Sequence, residues 1–136
     1  MILIESNVEP GRLLHCIVRA YRINDGRIDI SPPNEFLQLA ALRLPSGKTF
    51  RPHKHIPCAK VQTTTQESWV VIRGRVRAIL YDLDDQILQE VELGPGDLSI
   101  TFYGGHNYLI LEDDTVVYEF KTGPYLGQEA DKEFIQ

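Results

Sequence analysis

At 136 residues the chain has room for one domain with a real core, and not for two. A net charge of −5, a pI near 5.3 and basic residues scattered along the chain speak against nucleic acid or an anionic membrane as partner. Hydrophobic residues make up 43%, as in an ordinary globular protein, and no apolar run approaches the roughly 20 residues of a membrane span.

The first residues, Met1-Ile2-Leu3-Ile4-Glu5, have neither the basic start nor the long apolar core of a signal peptide. Two cysteines, Cys16 and Cys58, make no disulfide framework, so a cytoplasmic setting is expected. Residues 6–21 carry the one helical pattern. Leu13, Leu14, Ile17, Val18 and Tyr21 recur at helical spacing, Ser6 and Glu9 resemble a capping box, and Asn24-Asp25-Gly26 stops the run. Pro10 fits that cap poorly, and Cys16-Ile17-Val18 also reads as a strand, so both readings stand. His15 is read as a surface residue.

After Ser31-Pro32-Pro33-Asn34 the pattern becomes one of strands. They are expected at 36–44, 49–56, 67–72, 75–81, 87–93, 98–102, 107–111 and 115–121. Pro45-Ser46-Gly47 closes the first, Arg73-Gly74 reads as a tight hairpin, and Leu83-Asp84-Asp85-Gln86 and Gly94-Pro95-Gly96-Asp97 are turns. Asp82, Asp84 and Asp85 are read as a solvated turn. About eight short strands at this spacing predict an all-β sandwich, jelly roll or barrel. On the last strand Glu119 and Lys121 share one face, and Val116, Tyr118 and Phe120 the other. The apolar face has the stronger claim to the interior. The tail after Gly123-Pro124-Tyr125 is polar and expected to lie on the outside.

His53-Lys54-His55 falls on a predicted strand, where alternation points both imidazoles the same way. Two convergent imidazoles are half of a transition-metal site, although an isolated pair of this kind is more often two half-exposed polar residues. Five residues separate Gly47 from His53 and six separate Glu67 from Gly74, and the Gly94–Asp97 turn precedes His106. Over residues 35–121 this arrangement resembles the two motifs of the cupin superfamily. The blocks Arg51-Pro52-His53-Lys54-His55, Glu67-Ser68-Trp69-Val70-Val71-Ile72-Arg73-Gly74 and Lys121-Thr122-Gly123-Pro124-Tyr125, with Lys132-Glu133-Phe134, look like the WbuC-like cupin-fold metalloproteins of bacterial surface-polysaccharide gene clusters.

The resemblance implies a double-stranded β-helix over 35–121, an N-terminal segment over 1–34 and a tail over 122–136, all one domain. It implies one divalent transition metal ion (Fe, Mn, Zn or Ni) held by His53, His55, Glu67 and His106. Eleven residues lie between His55 and Glu67, so 56–66 reads as an insertion, and Gln62 and Gln66 are rivals to Glu67. In that insertion Cys58 is either a soft donor near the metal or a small buried residue.

Tyr108, two residues after His106, and Arg51, two before His53, share the ligands' faces. They are the catalytic candidates, a phenol and a guanidinium for a bound substrate. Trp69 reads as core or cavity wall. The implied function is that of a metal-dependent isomerase, epimerase or lyase acting on a sugar or nucleotide-sugar. The alternatives are a non-catalytic cupin that binds a small ligand or metal, and an Fe(II) oxygenase. A homodimer is the expected assembly.

Overall fold

A computed structural model describes residues 1–135. Among them ten antiparallel strands fall into three sheets. The five-stranded sheet has the order β1 (Ile2–Glu5), β2 (Leu13–Val18), β8 (Leu98–Thr101), β5 (Glu67–Arg73), β10 (Val116–Lys121). The three-stranded sheet runs β7 (Ile87–Leu93), β6 (Val76–Tyr81), β9 (His106–Ile110). β3 (Gly26–Asp29) pairs with β4 (Ala40–Arg43), and a short helix, α1 (Gln128–Asp131), follows β10. The architecture is all-β, as the turn spacing predicts. Among the described residues no helix is long and apolar enough to cross a membrane.

Two cores use the two faces of the larger sheet. Ile4, Ile17 and Val71 meet Val76, Ala78, Leu80, Val91 and Leu93 of the smaller sheet between the layers. On the opposite face Cys16, Val18, Ile100 and Phe102 lie beneath Ile30, Leu37 and Leu39, around the β3–β4 pair. This explains why the N-terminal segment is not the helix its periodicity suggests. β2 is a central strand, with Ile17 packed on one face and Cys16 and Val18 on the other. A strand buried on both sides is a continuous apolar run, which imitates a buried helix. Ser6 caps a turn instead, accepting hydrogen bonds from the Val8 and Glu9 amides at 3.0 and 2.9 Å.

Arg73-Gly74 is not a hairpin either. β5 and β6 belong to different sheets, and the chain crosses between them at Gly74 with φ +81°. A Cβ there would stand 2.9 Å from Thr115 Cα, so the close approach itself calls for glycine. The strand expected at 36–44 shortens to Ala40–Arg43. None forms at 49–56: Pro52 and Pro57 cannot donate to a ladder, and the segment joining β4 to β5 runs exposed through residue 63.

Asp82 departs from its expected place in solvent. It is buried, accepting from Ser6 Oγ at 2.5 Å and the Asn7 amide at 2.7 Å. Burial pushes its carboxyl up, but these bonds outweigh that and hold it below the ordinary range.

Candidate functional site

Strand register builds a cavity of about 570 Å³ from residues of both sheets. On β5 the inner face carries Glu67, Trp69 and Val71, and on β10 it carries their partners Lys121, Glu119 and Val117. β9 supplies His106 and Tyr108 from the opposite sheet. The rivals to Glu67 go elsewhere. Gln66 is fully buried but turns toward Leu37 and Glu35, bonding both, while Gln62 is exposed.

Glu67 is 5% exposed, and its Oε1 lies 3.1 Å from His106 Nε2. The Trp69 indole donates to that same oxygen at 3.1 Å and to Glu119 Oε2 at 3.1 Å. Burial pushes the Glu67 carboxyl up. The His106 hydrogen bond and charge, with Lys132 and Lys121, outweigh burial and keep it below its ordinary value. Trp69 stacks on Tyr108 with ring centroids 4.0 Å apart and planes 9° from parallel. Tyr108 is part of the wall, its hydroxyl bonded to Ser99 Oγ at 2.8 Å, and burial holds its phenol above its ordinary pKa.

Two corrections concern faces. Glu119 and Lys121 are turned to the cavity, and Tyr118 and Phe120 face out, 56% and 55% exposed. A cavity wall reverses the usual assignment because its polar groups find partners inside: Glu119 at Trp69, and Lys121 at Asp131 at 3.3 Å. The tail is drawn in with them. Thr65 Oγ1 donates to Asp131 at 2.7 Å, Ile135 packs against Gly105, and residues 131–135 wall one side of the cavity.

His15 is a second departure. It is fully buried, with Nε2 2.9 Å from the Tyr81 carbonyl and Nδ1 3.0 Å from Thr101 Oγ1. Burial lowers its pKa to about 4. It props the Gly104 turn that leads into His106.

The remaining expected residues lie outside this cluster. His53 and His55 are exposed on the 45–63 segment, their rings 5.5 Å apart, and His53 Nδ1–H donates to the Arg51 carbonyl at 3.0 Å. Arg51 and Cys58 are exposed on the same segment. Of the four expected metal ligands, then, Glu67 and His106 come together and the two histidines of the exposed segment do not. Among the described residues no three of His, Cys, Asp and Glu are gathered as a set of metal donors. Glu67 Oε1 and His106 Nε2 nevertheless have the chemistry and spacing of two donors to one cation.

Hydropathy turns Glu119 and Lys121 outward, and Asp131 falls in a tail expected on the outside. Parity along β10 was the available signal, since Glu119 and Lys121 fall opposite Trp69 and Glu67 once β10 pairs with β5. Comparison with protein-family models, with curated proteins and with solved structures gives no match for this chain. The cupin resemblance therefore rests on the motifs in the sequence.

Proposed function

We propose that the chain is a metal-dependent cupin whose cavity takes a sugar, with isomerase, epimerase or lyase chemistry. One observation carries the reading: Glu67 and His106 reach from two different sheets to within 3.1 Å of each other on a cavity wall beside a stacked Trp69–Tyr108 pair. Glu67 and His106 would hold the cation, with His53 and His55 brought in from the neighbouring segment. A bound divalent ion would act as a Lewis acid toward a carbonyl or hydroxyl oxygen.

The chain's own groups divide the remaining work. Glu119, partly exposed and held by one indole hydrogen bond, is placed to take a proton from a sugar hydroxyl. Carboxylates and an indole edge suit a polyol. Glu67, Glu119, Asp131 and Glu133 offer acceptors to sugar hydroxyls, and Lys132 and Lys121, with a bound divalent ion, offset their charge enough to admit the phosphates of a nucleotide-sugar. A binding role without turnover draws support from Tyr108, whose phenol is committed to Ser99 and stiffened against deprotonation.

The test is metal analysis of the purified protein, then calorimetric titration with Mn(II), Fe(II), Zn(II) and Ni(II). Binding should be tight for at least one ion and about tenfold weaker or worse in Glu67→Gln, while Gln66→Ala changes little. Protein that is metal-free and indifferent to all four ions sinks the metal site. A sugar that binds without turnover leaves the non-catalytic reading in its place.

A further inference from the structure

The outer face of the five-stranded sheet is covered over its middle strands and open toward its edges, where Leu3 on β1 is 53% exposed. Ile30, Leu37 and Leu39 lie over β2 and β8. Toward β10 the face stays open among the described residues, with Ile72 43%, Tyr118 56% and Phe120 55% exposed. β10 is also an edge strand, pairing among the described residues with β5 alone. Such an edge offers a row of free backbone donors and acceptors, and proteins usually blunt it with proline, charge or a bulge. The stretch Val117-Tyr118-Glu119-Phe120-Lys121 has no proline, its charges point to the cavity, and its irregularity lies at the far end, between Val116 and Val117.

A second copy of the same strand fits this edge in one register. Antiparallel pairing about a two-fold axis normal to the sheet must set one residue opposite itself, since neighbouring residues point to opposite faces. Centring on Glu119 sets like charges against each other, which is destabilising. Centring on Tyr118 gives neither charge an opposite. Centring on Phe120 sets Glu119 opposite Lys121 of the partner subunit, and Lys121 opposite Glu119 of the partner subunit. The same register brings the two Phe120 rings together on the outer face, with each Tyr118 on the diagonal. Aromatic side chains reach across both spacings. The most exposed apolar side chains of the sheet thus cover one another.

We propose that β10 is the seam of a homodimer, paired antiparallel through Phe120, with Glu119 and Lys121 forming reciprocal ion pairs across the axis. Tyr118 and Phe120 point away from the cavity, while the Glu119 and Lys121 pairs lie on its side of the sheet, next to Trp69 and Asp131. A seam of one strand pair sits at the small end of specific interfaces, so dissociation belongs in the micromolar range.

Sedimentation velocity across that range should show a monomer–dimer equilibrium. Phe120→Glu should weaken it by about tenfold or more, with the strand signal in circular dichroism retained. Tyr118→Lys gives the same readout if Phe120→Glu fails to fold. In a Cys58→Ser background Phe120→Cys should crosslink on mild oxidation, whereas Ile72→Cys, one strand further in, should not. A wild-type protein that stays monomeric overturns the proposal. So does a dimer that survives both charged variants, or one that crosslinks through Ile72→Cys in preference to Phe120→Cys.

Discussion

The cavity wall and the 45–63 segment hold the two halves of the expected metal site, and they could hardly differ more. On the wall, Glu67 and His106 are fixed by register, by the Trp69 indole and by buried neighbours on both sheets. On the segment, Arg51, His53, His55 and Cys58 are all exposed and belong to no strand. The wall owes its geometry to packing that exists without a ligand. The segment has no comparable packing, so any fixed geometry there must come from what it binds.

The sharpest contrast is in stability. Leu80, fully buried between the sheets, should cost about 3 kcal/mol when cut to alanine. Val61 on the segment, 81% exposed, should cost less than about 0.5 kcal/mol. Urea denaturation checks both, and equal losses would mean that the segment is packed after all.

Acid should find the wall next. His15 titrates near 4 when folded, against 6.5 for an unperturbed imidazole, because burial disfavours the charged ring. Its contribution is therefore complete above about pH 6.5 and is lost as pH falls toward 4, amounting to about 3 kcal/mol over that window. His15→Gln should flatten the pH dependence of the melting temperature across that window. An unchanged slope would place the titration elsewhere.

These effects follow from residues whose environment the sequence concealed. Periodicity and turn residues made β6 to β10 legible to within a residue or so, because each strand is short, alternating and bounded by Gly, Asn or Asp. β2 was ambiguous because burial on both faces erases alternation, and His15 inherited that ambiguity. Glu67 and His106 could be named from the resemblance to the cupin motifs, yet their meeting depends on strands of two separate sheets. Glu119 and Lys121 were turned the wrong way, because hydropathy alone cannot distinguish a core from a polar cavity.

The metal experiment joins the two regions. If both halves hold one cation, a chelator should lower the melting temperature by a few degrees, and His53→Ala and Glu67→Gln should each abolish that shift. Loss with Glu67→Gln but not with His53→Ala would confine the site to the wall. The smallest change is expected from removing residues 56–62, which should leave the melting temperature within about a degree or two while altering ligand affinity. Equal affinity would show that the segment does not shape the cavity mouth.

Trp69 is the chain's only tryptophan, and its indole nitrogen is shared between two carboxylates at 3.1 Å each. Every photon of tryptophan emission from this protein therefore originates at the cavity wall, under the field of Glu67 and Glu119. A cation or polyol that draws either carboxylate aside changes that field, and the emission maximum moves with it. The site thus carries its own optical gauge: a titration in a cuvette reads occupancy directly, with no label attached and no knowledge of the reaction required.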